Sequence, residues 1–302
     1  MALMYFSKFN INSQIFDVYR EPDLQKEILD TVFRSIDNTV EIDDEEEGCR
    51  YKFCDIVKDE DELTIVGRLV KIFDGEEQSY DPVKDTVATI WQQDKAESST
   101  FCFDLKTEQI AFIIRRGLKY RQFNKYFKLL VEKYFPEDAF EIYLENNIGE
   151  LKKKINKMQR VLSIESIIIP PNANEAEYDL LFGATRDEIK ASGATLYKQG
   201  LEISAKSKKS LMINNNLVTR MFYAISKGYG ELVAKGRDGN NTPVTVKSDE
   251  DAPYTSPIPE QEKDSLIAFR ERALPAINQL VVEKKIRTIE MAGDFTDEGD
   301  EG

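Results

Sequence analysis

From Phe140 onward the apolar residues switch repeatedly between strand-like and helix-like spacing. That switching confines the chain to a fold built from both helices and strands. Phe140 to Leu144 reads as a strand and Ile148 to Val161 as a helix. Ile164 to Ile169 reads as a strand stopped by Pro170 and Pro171, because proline cannot donate to a strand ladder. A polar connection rich in Asn and Glu leads to a helix over Leu180 to Ser192 and a strand over Thr195 to Ser204. A helix over Asn214 to Ser226 turns Leu217, Val218, Met221, Phe222 and Ile225 inward. Gly230 to Lys235 and Pro243 to Lys247 flank Asp238-Gly239-Asn240-Asn241, a hairpin turn. This order, βαβ and then βαββ, predicts a ferredoxin-like α/β sandwich for the C-terminal half.

The N-terminal half is richer in strands, so the expected class is α+β. Met4 to Ile11 reads as an opening strand. Pro22 and Asp23 start a helix with Leu24, Ile28, Val32, Phe33 and Ile36 on one face. The acidic run from Glu41 to Gly48 reads as a solvated loop, with a nucleic-acid mimic or an interaction segment as the alternative. Tyr51 to Val57 and Leu63 to Phe73 form one strand pair; Thr100 to Leu105 and Gln109 to Arg115 form another. Residues 120–135 are an amphipathic helix ended by Pro136, with Tyr120, Phe123, Phe127, Leu130, Val131 and Tyr134 as its stripe. The expected division is an acidic strand-rich domain over 1–137 and a basic α+β domain over 138–250. A Pro- and Ser-rich linker and a C-terminal helix kinked at Pro275 occupy 251–292, and 293–302 is an acidic disordered tail.

Histidine is absent from all 302 residues, which removes Ser-His-Asp and Cys-His triads and HExxH zinc sites. Cys49, Cys54 and Cys102 are too few for a four-ligand zinc site without histidine, and read as buried thiols. No Walker-type phosphate loop occurs. Asp104-Leu105-Lys106 has the local form of a metal-nuclease motif, as do Glu150-Leu151-Lys152 and Glu188-Ile189-Lys190 on expected helices. A metal-dependent nuclease therefore stays open as an alternative, with a protein-interaction or scaffold role as another. The expectation is a non-enzyme with no cofactor and no metal. No apolar run approaches the roughly 20 residues of a membrane span. The start, MALMYFSK, lacks the pattern of a signal peptide, so the cytoplasm is the expected location.

Charge is distributed unevenly within a net of −14. Residues 1–100 hold 11 basic and 24 acidic residues, residues 101–237 hold 23 and 16, and residues 238–302 hold 7 and 15. A basic middle between acidic ends suits phosphate contact despite the overall sign. Three clusters carry it. The first comprises Arg115, Arg116, Lys119, Arg121 and Lys125, continuing to Lys128 and Lys133. The second comprises Lys152, Lys153, Lys154, Lys157 and Arg160; on one helix, Lys153, Lys157 and Arg160 share a face opposite Leu151, Ile155 and Met158. The third is the Lys/Ser loop with Lys206, Lys208 and Lys209. Each reads either as a solvated surface or as a set of phosphate contacts without base readout.

The order of segments adds a family resemblance. Phe140-Glu-Ile-Tyr-Leu leads into Ile148-Gly-Glu-Leu-Lys-Lys-Lys-Ile and Ile164-Glu-Ser-Ile-Ile-Ile-Pro-Pro. Leu196-Tyr-Lys-Gln-Gly-Leu-Glu-Ile-Ser and Gly228-Tyr-Gly follow. The chain resembles the RexA-type phage-exclusion proteins and the DNA-binding subunit of Kiwa-type defence systems. The resemblance implies dimeric, largely sequence-independent binding of double-stranded DNA in bacterial defence. It also implies a partner protein, membrane-bound or otherwise, without membrane insertion of this chain. The acidic first hundred residues depart from that pattern, and suggest a segment that covers the basic half.

Overall fold

Alternating burial along the N-terminal strands divides their side chains between two helical layers. In the computed structural model, which describes residues 1–172 and 175–296, β1 (Ala2–Ile11) leads into α1 (Ile15–Arg20) and α2 (Asp23–Ser35). Five strands follow: β2 (Glu41–Asp44), β3 (Cys49–Asp59), β4 (Thr64–Asp81), β5 (Thr86–Asp104) and β6 (Gln109–Ile113). Next come α3 (Tyr120–Glu132), β7 (Phe140–Leu144), α4 (Ile148–Asn156), β8 (Arg160–Ile168) and α5 (Glu175–Phe182). A 3₁₀ turn over Gly183–Thr185 joins α5 to α6 (Arg186–Ser192). The chain continues through β9 (Tyr197–Glu202), α7 (Asn216–Lys227), β10 (Gly230–Arg237), β11 (Pro243–Lys247) and α8 (Ser248–Asp251). β12 (Thr255–Ile258) and α9 (Leu266–Thr296) complete it.

The larger sheet is antiparallel and runs β12-β1-β6-β5-β4-β3-β2. β7 pairs with residues 7–11 of β1, in line with β12 on residues 2–5. Successive side chains of a strand face opposite ways. Phe9, Phe101, Phe103 and Phe112 therefore meet α2 and α3, while Met4, Phe6, Cys102 and Ala111 meet Phe269, Ala273 and Ile277 of α9. Phe123 stacks on Phe112 at 3.9 Å, and Phe127 meets Phe53 and Phe101 edge-on. The expected α3 stripe is buried at Phe123, Phe127, Leu130 and Val131; Tyr134 is exposed, and Tyr126 is buried in its place, stacked on Tyr51.

The smaller sheet, β11-β10-β8-β9, is antiparallel throughout and packs one face on α4 and α7. The class is α+β, as expected. The connectivity differs from the βαβ reading, because β7 hydrogen-bonds to β1 and leaves α4 bridging two sheets. The buried Asn172 ties the ends together, accepting from the Ile11 N–H and donating to the Phe9 carbonyl. Gly228 closes α7 at φ +81°, where a Cβ would fall 2.6 Å from that of Lys8. Gly230 lies so close to the Ile167 carbonyl that no side chain fits.

Four further readings change. Glu41–Asp44 is a strand paired to β3, not a loop. β4 and β5 continue past the expected ends as a two-stranded arm, paired from Gly75↔Gln92 to Asp81↔Thr86. The helix over 180–192 is two helices joined by a 3₁₀ turn. α9 runs through Pro275 to Thr296, overlapping the start of the expected tail, and residues 297–302 lie outside the described residues.

Candidate nucleic-acid interface

The first basic cluster is folded against acids. Arg115 donates through Nε to the Ser98 carbonyl at 3.0 Å and pairs with Asp264. Arg121 reaches Asp249 and Glu250 of α8, each at 2.7 Å, and the Tyr120 hydroxyl donates to the same Asp249. Lys125 pairs with Asp44 at 3.5 Å, and Lys128 with Glu141 at 2.9 Å and Asp138 at 3.4 Å. Lys133 donates to the Glu41 carbonyl. The Tyr126 hydroxyl, a backbone N–H and Lys125 bring the Asp44 carboxyl down to about 2. Arg116 and Lys119 stay exposed, with no ion pair among the described residues. They line a cleft of about 570 Å³ together with Tyr5, Tyr120, Asp249 and Glu250.

The second cluster divides. Asn147 caps α4 by accepting from the Glu150 N–H, and Leu151 and Ile155 face the core. Lys152 extends over the Phe222 ring at 5.2 Å, and Lys153 pairs with Glu150 at 3.6 Å. Lys154 turns back to Asp251. The helix ends at Asn156, so Lys157 is its C-cap and Arg160 opens β8. Arg160 therefore does not share a helix face with Lys153, as its sequence spacing suggested.

Arg160 instead joins the second cluster to the third. Its guanidinium donates to the Ser207 carbonyl and, at 2.7 Å, to Asn241 in the β10–β11 turn. The Ser210 hydroxyl accepts from the Val161 N–H, and the Leu211 N–H donates to the Val161 carbonyl at 2.8 Å. These bonds hold the Lys206–Lys209 loop against the start of β8. Arg237 is the cross-strand partner of Arg160. Lys157, Lys206, Lys208 and Lys209 are all exposed, and none has an ion pair among the described residues. Asp238 lies in the same region, its carboxylate accepting from the N–H groups of Asn240 and Thr242.

Sequence reasoning missed the arm. Its cross-strand pairs place Tyr80, Val87 and Trp91 on one face, each more than half exposed. The nuclease-like Asp104 caps the β5–β6 turn, accepting from the Lys106 N–H and the Thr107 hydroxyl. Among the described residues no group of three or more Cys, Asp or Glu side chains is placed to hold a metal ion, and no helix is long and apolar enough to cross a membrane. The three thiols are free, and burial pushes that of Cys102 up to about 12.

Residues 57–274 match the sequence model of DUF4747, a domain of unknown function. The chain belongs to the DUF4747 family. No curated protein matches it in sequence. The DUF4747 region runs from within β3 into α9, so it contains the arm and all three basic clusters. It leaves out β1, although that strand lies inside the larger sheet.

Proposed function

We propose that this DUF4747 protein binds double-stranded DNA through the phosphate backbone, with little dependence on base sequence. The observation that carries the reading is the meeting of Lys157, Arg160, Lys206, Lys208 and Lys209 at one end of the smaller sheet. Exposed ammonium groups on a loop and a helix end reach phosphates without reading base edges. The aromatic residues of α3 do not add base stacking, since Phe123 and Phe127 are in the core. The resemblance to phage-exclusion proteins sets the proposed role in bacterial defence, and a homodimer would offer two such ends to one duplex.

The test is binding to duplexes of unrelated sequence across a salt series. About five phosphate contacts give a slope of log affinity on log salt near −4.5, similar for each duplex. A flat salt response, or no binding at low salt, overturns the reading.

A further inference from the structure

A second lysine-rich site, partly open, lies away from the sheet end. A cavity of about 260 Å³ is lined by Lys8, Lys106, Lys227, Lys284 and Lys285, with Gln109 in its wall. Three distant parts of the chain build it: β1 with the β5–β6 turn, the α7–β10 junction, and α9. Lys8 pairs with Glu108 at 2.6 Å, Lys227 with Glu177 at 2.7 Å, Lys284 with Glu145, and Lys106 with Glu62 at 3.3 Å. None of those carboxylates lines the cavity. Five lysines and no carboxylate thus line the cavity, and four of those ammonium groups already bind acids that lie outside its lining.

Two further observations point to a ligand. Gln109 is 1 % exposed and donates through Nε2 to Glu145, but its Oε1 has no hydrogen-bond partner. That atom is an acceptor awaiting a donor, and buried polar atoms are almost always satisfied. Burial, with Lys8 and Lys227 nearby, brings the Lys284 ammonium down to about 8 in spite of Glu145. An anion beside this ammonium offsets the cost of burying its charge.

We propose that this cavity binds a small phosphate monoester that carries a hydroxyl group near the phosphate. The phosphate oxygens accept from the lysines, and the hydroxyl donates to Gln109 Oε1. The volume lies just below the roughly 300 Å³ at which drug-sized pockets begin, which limits the ligand to a few heavy atoms beyond the phosphate. This site is independent of the DNA reading, because it shares no residue with the sheet end.

Calorimetric titration of the full chain with glycerol 3-phosphate and with inorganic phosphate, at ionic strength held constant with chloride, tests it. The expected result is one saturable site, tighter for glycerol 3-phosphate. Lys285 is exposed and has no ion pair among the described residues, so Lys285→Glu should keep the melting temperature yet weaken binding tenfold or more. Lys106→Glu should act in the same direction. DNA affinity should be unchanged in both variants, which separates failure here from failure of the DNA reading. No saturable heat with either phosphate, or an affinity indifferent to both substitutions, overturns the proposal.

Discussion

The α3 region and the end of the smaller sheet carry similar numbers of lysines and arginines in opposite surroundings. Around α3 the acids arrive from distant segments: Asp44 from β2, Asp138 and Glu141 from around β7, Asp249 and Glu250 from α8. At the sheet end, Asp238 is occupied by backbone N–H groups, and four lysines have no ion pair among the described residues. Cation density along a sequence thus measures charge, while tertiary pairing decides how much of it a phosphate can reach. The largest expected effect tests this directly. Changing Lys157, Lys206, Lys208 and Lys209 together to Glu should lower DNA affinity by about two to three orders of magnitude near 0.1 M salt. The matched change of Arg121, Lys125, Lys128 and Lys133 should show first as lost folding stability. Fluorescence anisotropy and thermal unfolding on both variants would break the contrast if affinity fell equally while both remained folded.

A smaller effect isolates one α3 ion pair. Asp249 is only 5 % exposed at its side chain and takes bonds from both Arg121 and Tyr120. Removing one partner of a buried carboxylate costs several kcal/mol when the pair is fully enclosed. Arg121 is more than half exposed, and Tyr120 remains, so Arg121→Ala should cost about 1–2 kcal/mol in denaturant unfolding. DNA affinity should stay within about twofold, since a paired guanidinium contributes little to the free field.

What could be read from the sequence follows the range of the forces involved. Phe123, Phe127, Leu130 and Val131 announce α3 because helical burial is periodic over a few residues. The Asp238–Asn241 turn is legible because its chemistry is local: Asp238 accepts from the N–H groups two and four residues on. The arm was not legible. Asp74-Gly75-Glu76-Glu77 has poor strand propensity, and pairing with β5 rather than burial holds it extended, so no alternation marks it. β7 matches its expected bounds, yet its partner β1 lies far away in sequence, and pairing choice leaves no local trace. The same holds for the site. Lys206–Lys209 could be recognised as a basic loop, but its union with Lys157 depends on Arg160 reaching Ser207 and Asn241. The pairing of Arg121 with Asp249 spans 128 positions and is visible only in the fold.

Acid should narrow the difference between the two regions. Asp44 is held near 2 by Tyr126, a backbone N–H and Lys125, below an unfolded value near 3.9. A depressed carboxyl contributes stability that is fully present above the unfolded value and lost as pH falls through the folded one. Unfolding followed from pH 5 to pH 2 should therefore lose part of its free energy below about 4. In Asp44→Asn that part of the slope should be absent. An unchanged slope would mean that Asp44 does not hold α3 against β2.

The smallest effect concerns the two α3-side cations without an ion pair. Arg116 and Lys119 are exposed, like the sheet-end lysines, and by that alone they should also contribute to phosphate binding. They differ in sharing their cleft with Asp249 and Glu250. Those carboxylates are neutralised only in part by Arg121, so a phosphate entering the cleft meets acids at contact range as well as cations. Replacing Arg116 and Lys119 together with Ala should lower DNA affinity by about threefold or less and reduce the salt slope by well under the roughly two units that two full phosphate contacts would give. A reduction near two units would place the duplex across both regions and make α3 part of the binding surface. A negligible one would confine the duplex to the end of the smaller sheet.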